Sequence, residues 1–341
     1  MHQRWKDRPE TSNWGDFGPD DERGRLNLVT PEKVLAAITE VRVGKSFCLS
    51  LPLNYPGEAV LSPFRRPPEL KPETLPDGRP AFNVAIRDTH PLTTDLFSDQ
   101  RASLSLQYST HWDGLAHVGQ CFDANGDGEP EGLYYNGFRA DFDIAVSAQK
   151  GKTFDGAQRL GIEHMAVTGV QGRGVMIDIR AHFGRSGKLV GYEDLMLILE
   201  RDGVVVGEGD FVCLRTGFAE LLLEMKLKPD RDALFGSTSA LDGRDERLHQ
   251  WITDTGLVAL AADNYAVEAL PARPLPHVCC ASLPLHEHCL FRLGVYLGEM
   301  WHLGELADWL RVNDRSRFFL TAPPLHLPGA VASPTTPIAT V

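Results

Sequence analysis

A mixed α/β fold is the class this sequence predicts, and two observations predict it. From "GVMIDIR" onward, short apolar runs alternate with stretches of helical periodicity. No long linker interrupts that alternation, so the 341 residues are expected to form a single domain over 1–341. A polar N-terminal arm (about 1–25) and a Pro-rich loop (about 54–92) are its two irregular parts.

The elements follow in chain order. "TPEKVLAAITEVR" predicts a helix, with Thr30 as its N-cap and Pro31 at its first position. "KSFCLSLPL" predicts a strand. The Pro-rich loop predicts no helix or strand of any length, because proline removes a backbone donor and fixes φ. It is either a plain surface loop or one that covers a site or packs on a neighbouring subunit. "GVMIDIR" predicts a buried strand, "YEDLMLILERDG" a helix ending near Gly203, and "DFVCLRTG" another strand. "FAELLLEMK" predicts a helix, "GLVALAADN" a buried strand, and "RFFLTAPPL" a last strand.

Composition excludes several classes. Hydrophobic residues make up 43% and charged residues 23%, as in globular proteins. The net charge of -12 repels nucleic-acid phosphates and anionic lipid, so neither is an expected partner. No apolar run is long enough for a membrane span. The polar N-terminus lacks a signal-peptide core, so a cytoplasmic location is expected. None of the 6 cysteines form a C-x-x-C pair. They read as buried thiols of a reducing compartment. "DANGDGE" opens like a calcium loop, but Tyr134 stands where the bidentate Glu belongs, and it reads as turns.

The chemistry concentrates in "QYSTHWDGLAHVG", Gln107 to Gly119. His111 and Asp113 are two apart, so an extended segment puts both on one face, where imidazole and carboxylate can share a cation. Gln107 shares that face if the strand is regular. Gly114 offers a bend that would turn His117 back toward the same point. His111 and Asp113 suit metal ligands, and His117 suits a base that accepts a proton from water. Spacing alone leaves open that these are ordinary hydrogen-bonded side chains.

The segment resembles the signature of the metal-dependent cyclase-like hydrolase family, which includes bacterial kynurenine formamidase and isatin hydrolase. That pattern is H-x-G-T-H-x-D-x-P-x-H. Thr110, His111, Asp113 and His117 match it, and Gln107, Ser109 and Leu115 depart. "WGDFGPDDERGRLNLVTPEKV", "GRGVMIDI", "GDFVCLRTGF", "AADNYAVEALP" and "LHEHCLFRLGVYLGE" extend the resemblance over most of the chain. It implies a swivelling β/β/α fold with a barrel-like central sheet, assembled as a homodimer or homotetramer. It also implies His111 and Asp113 as metal ligands and His117 as proton donor and acceptor. A second His and a Glu near the C-terminal end fit His286 and Glu299, with His288 as the alternative histidine. A helix-end ion pair or solvated charges remains the bland reading of His286 and Glu299. Gln107 stands where the family places a histidine ligand. An amide oxygen is a harder, weaker donor, which favours one metal and Mn2+ over Zn2+.

Three functions follow as expectations. The first is a hydrolase opening an amide, imide or lactone bond of a small molecule by metal-activated water, with His117 as general base and acid. The second is a metal-dependent lyase or cyclase. The third is a family member that binds a small molecule without turnover. Asp263 and Asn264 end an apolar strand and either orient a ligand or cap the next helix. Trp14, Trp112, Phe64 and Tyr135 are candidates for an apolar pocket, although Trp112 could equally be core.

Overall fold

The computed structural model describes residues 4–140, 142–144, 156–274 and 280–341. Its centre is a nine-stranded sheet. The strands are β1 (Ser46–Cys48), β2 (His111–Asp113), β3 (Gln171–Asp178), β4 (Phe211–Arg215), β5 (Ala259–Ala262), β6 (Tyr296–Glu299), β7 (Arg317–Thr321), β8 (Ala332–Pro334) and β9 (Ile338–Thr340). Their spatial order is β1-β9-β7-β3-β4-β5-β6-β2-β8. The four strands from β3 to β6 run parallel, and the flanking pairs are antiparallel. Every residue of β4, β5 and β6 is buried, which explains why their sequences are apolar apart from the last residues of β4 and β6, Arg215 and Glu299.

The sheet must curl. Pro334 closes one edge and Ile338 opens the strand next to the other edge. Four residues span at most about 14 Å. Seven strand spacings of a flat sheet would require about 34 Å. The short connection therefore holds the two sides close, and the architecture is the barrel-like central sheet of the swivelling β/β/α fold.

Helices α1 (Pro31–Ile38), α2 (Tyr192–Arg201), α3 (Phe218–Glu224), α4 (Arg231–Ser237), α5 (Glu246–Thr255) and α6 (Gly304–Val312) accompany the sheet. Thr30 caps α1 by accepting from the Lys33 amide, with Pro31 at the first position. Helix α2 ends before Gly203, as its sequence predicts. A short helical turn, Pro284–His286, runs directly into a π-helix, Glu287–Leu293.

Several expectations change. "RFFLTAPPL" supplies β7 but not the last strand, since β8 and β9 follow; each is only three residues long, too short to announce itself. The N-terminal arm, polar in sequence, is anchored by two tryptophans. Trp5 and Trp14 are buried, and Trp14 Nε1 donates to the Phe291 carbonyl at 2.7 Å. Two aromatic anchors outweigh the polar residues around them. Trp14, Trp112 and Tyr135 belong to the core, and Phe64 is exposed. The Pro-rich loop carries only short ribbons, such as Glu69–Pro72 paired with Gln100–Ser103. Cys213 and Cys289 are buried thiols, whereas Cys48 and Cys121 are exposed. Cys280 is in a disulfide, against the expectation of thiols throughout. Cys279 lies outside the described residues. Asp123 folds its carboxylate back onto the amides of Gly126, Asp127 and Gly128, as a turn does.

Candidate metal centre

Strand β2 carries the centre of the site. Its period of two points His111 and Asp113 to one face and Trp112 to the other. Trp112 packs on Trp301 with ring centroids 4.8 Å apart and donates to the Ala322 carbonyl. In the antiparallel register of β2 and β6, Glu299 lies opposite His111. Paired residues share a face, so Glu299 joins the two. One ligand atom from each of His111, Asp113 and Glu299 falls within 4.8 Å of the others. His111 Nε2 is 3.5 Å from Asp113 Oδ1 and 3.6 Å from Glu299 Oε2.

The histidines are held by their other nitrogens. His111 Nδ1 donates to the Ser109 carbonyl at 2.7 Å, which leaves the Nε2 lone pair facing the carboxylates. His286 Nδ1 lies 2.8 Å from Glu268 Oε1. Glu268 also accepts from the amides of Leu285 and His286. That buried carboxylate fixes both the ring and the helical turn that carries it. His286 Nε2 thereby comes within 3.3 Å of Glu299 Oε1 and 3.9 Å of Asp113 Oδ2. His117 reaches the cluster through a turn, in which its amide donates to the Gly114 carbonyl. Its Nε2 is 3.6 Å from Asp113 Oδ1, and its side chain is 22% exposed, so the cluster meets solvent at this ring.

Gln107 lies outside the strand and enters the cluster differently from the sequence expectation. Its amide nitrogen donates to Asp113 Oδ1 at 2.5 Å and lies 3.2 Å from His117 Nδ1. In this orientation the amide nitrogen, which has no free lone pair, faces the cluster and the contact is a hydrogen bond to Asp113. His288 points elsewhere: it stacks on His249 at 4.4 Å and contacts the His249 carbonyl. The structure thus brings together His111, Asp113, Glu299, His286, His117 and Gln107, and leaves His288 out. Asp263 caps a loop, accepting from Thr216 N, Thr216 Oγ1 and Gly217 N just ahead of α3. The helix it serves therefore follows β4 and not its own strand. Asn264 Nδ2 donates to Ser239 and Val267 carbonyls.

Two residues were not singled out in the sequence. Glu268 is one; nothing in "AVEALP" marks a carboxylate that will hold a distant histidine. Arg65, in the Pro-rich loop, is the other. Its Nη1 donates to the Gln107 carbonyl at 2.9 Å, and its guanidinium sits 5.3 Å from the Tyr265 ring centroid.

The electrostatics are those of a buried cluster. Burial alone would raise Asp113, but the facing His117, His111 and His286 outweigh it and hold the carboxyl far below its usual range. Burial and Asp113 would both raise Glu299, yet His286 and His111 bring it below the ordinary value. His286 moves up to about 10, because Glu268 and Glu299 overcome the effect of burial. For His117 burial dominates over the attraction of Asp113, and the ring is held below its ordinary value and so neutral at pH 7.

These residues fit a divalent cation. His111 Nε2 and Asp113 Oδ2 are fully buried without a hydrogen-bond partner. Two buried lone-pair atoms with no donor to meet them, beside a second carboxylate, are costly unless something positive binds between them. Imidazole nitrogen with carboxylate oxygen suits zinc and manganese alike.

A family model described as putative cyclase matches residues 49–269. A crystal structure of a protein described as a novel cyclase is 32% identical, with TM-score 0.74, covering 97% of this chain and 99% of that one. Isatin hydrolase A from Labrenzia aggregata, bound to benzyl benzoate, is 14% identical with TM-score 0.55 and covers 91% of this chain and 98% of that one. Isatin hydrolase A from Ralstonia solanacearum is 16% identical with TM-score 0.54, covering 91% and 97%. The two isatin hydrolases are alike in fold. No curated protein matches the chain.

Proposed function

The chain belongs to the putative cyclase family, and from that premise we propose that it is a metal-dependent hydrolase of small molecules, opening an amide, imide or lactone bond. One observation carries the reading. A buried set of His111, Asp113 and Glu299 with unmatched ligand atoms adjoins a neutral, part-exposed His117.

His111, Asp113, Glu299 and His286 would hold the ion, Mn2+ or Zn2+. A divalent metal there supplies acidified water and a polarised carbonyl. The protein's own groups do the rest. His117 takes a proton at Nε2 from the attacking water and returns it to the leaving nitrogen or oxygen. Asp113 steadies the imidazolium between those two events. Gln107 fixes Asp113, and Glu268 fixes His286. Arg65 stands where its charge reaches His111 and His117, a suitable neighbour for the carboxylate that hydrolysis releases.

Elemental analysis of protein purified without chelator tests the premise, beside the double variant His111→Ala, Asp113→Ala. About one metal ion per chain, lost in the variant, is the expected result. Absence of metal from both proteins, even after soaking with Mn2+ and Zn2+, would sink the hydrolase reading. With metal in place, a panel of amides, imides and lactones in 18O water decides the reaction class: label in the product means hydrolysis, and turnover without label means a lyase or cyclase.

A further inference from the structure

The metal cluster is closed on most sides. His111, Asp113, His286 and Glu299 are at most 2% exposed, while His117 and Gln107 are half-buried. A substrate therefore enters past His117 and Gln107, and Arg65 stands at that mouth. Its Nη1 donates to the Gln107 carbonyl at 2.9 Å, and the Gln107 side-chain nitrogen lies 3.2 Å from His117 Nδ1. The Arg65 charge reaches both His111 and His117.

This guanidinium is held in place but not neutralised. Arg65 is half-buried. Among the described residues it makes no ion pair; its contacts are one neutral carbonyl and the face of Tyr265, 5.3 Å from the ring centroid. The carbonyl uses one of five N–H donors. Arg173, also half-buried, shows the usual solution, donating from Nε and Nη2 to the two oxygens of Asp210. At Arg65 the chain supplies no such carboxylate. A cation drawn partly out of water without a counter-charge is costly, and its planar fork matches a carboxylate through two hydrogen bonds.

The backbone around Arg65 is pinned as well. Leu61 and Ser62 are buried, and Leu61 packs in one apolar cluster with Tyr265 and Met300. Arg66 N donates to Ser105 Oγ at 2.7 Å, and Ser105 N donates to the Arg66 carbonyl at 3.2 Å. A seat fixed in advance loses little freedom when it is filled.

We propose that Arg65 determines specificity by seating a carboxylate that the substrate carries in addition to the bond to be broken, so that anionic amides, imides or lactones are favoured over neutral ones. This deepens the hydrolase reading and rests on it. A carboxylate released by hydrolysis forms only after the bond breaks. One already on the substrate is held from entry and positions the reacting carbonyl beside His117.

The test needs no turnover. The full chain, loaded with Mn2+ or Zn2+, is titrated calorimetrically with benzohydroxamate, whose hydroxamate chelates the metal, and with its 3-carboxy and 4-carboxy derivatives. At least one carboxy compound should bind about tenfold or more tighter than the parent, the worth of a charge-assisted hydrogen bond. Arg65→Gln should erase that preference while keeping its metal, its melting temperature and its affinity for benzohydroxamate. Arg65→Lys, which keeps the charge and loses the fork, should retain part of the preference. Equal affinity for all three compounds in the wild type, a preference that survives in Arg65→Gln, or a loss in Arg65→Gln that falls equally on the parent compound would each overturn the assignment. Failure of all three compounds to bind would instead fall on the metal site itself, and the inference would go with it.

Discussion

At the residue scale, Gly243 shows how tightly the site is supported. A Cβ added there would fall 1.9 Å from Glu268 Oε2. Glu268 has nowhere to retreat, since it holds Leu285 N, His286 N and His286 Nδ1. Gly243→Ala should therefore displace the carboxylate and misdirect His286. Metal affinity is expected to fall about 10–100-fold, as for Glu268→Gln, while the fold persists; competition with a chromogenic chelator measures it. His117→Ala should behave oppositely, keeping its metal and losing turnover by about 100-fold or more. Turnover intact in that variant would remove His117 from catalysis. His111, Asp113 and His117 were legible in sequence because one strand and one glycine bend bring them together locally. Glu268 was not, because its partners lie in a distant turn and its own neighbours are unremarkable.

At the scale of elements, the segment from Pro284 to Leu293 ties three parts of the molecule together. It carries His286 to the cluster, receives Trp14 of the N-terminal arm, and lays His288 on His249 of α5. Trp14→Ala should cost about 3–5 kcal/mol, read from chemical denaturation. Burial first, then His249 and Arg292, push His288 down to about 3. An unfolded histidine titrates near 6.5. Above that pH both states are neutral at this residue and its contribution is complete. Between pH 6.5 and about 3 the unfolded chain binds a proton that the folded chain refuses. Stability is then lost as pH falls, by on the order of 1.4 kcal/mol per unit. His288→Asn should lose less melting temperature than the wild type between pH 7 and pH 4.5; an identical loss would place the acid sensitivity elsewhere. Helices with caps and long apolar strands were readable from sequence. The three-residue strands β8 and β9 have too few residues to show a period, and only their partners define them.

At the scale of the whole molecule, the curl of the sheet was not readable from pattern, because strand order follows from non-local pairing. The resemblance in the motifs supplied it, and the three residues between β8 and β9 explain it physically. A cation that binds only the folded cluster adds stability by mass action, about 2.7 kcal/mol at a hundredfold excess over its dissociation constant. Chelator should lower the melting temperature of the wild type, and leave that of His111→Ala, Asp113→Ala unmoved. The pairing of β2 with β6 has one more consequence. Residues from the first third of the chain and from its last eighth must meet before the cluster exists, so chain entropy must be spent on a very long loop before any ligand set forms. A nascent or truncated chain lacking β6 lacks Glu299 and so the complete ligand set. Full affinity for the ion is thus expected only once β2 and β6 have paired, and its release on denaturation, followed with a chelating dye, is expected to track the opening of that pair.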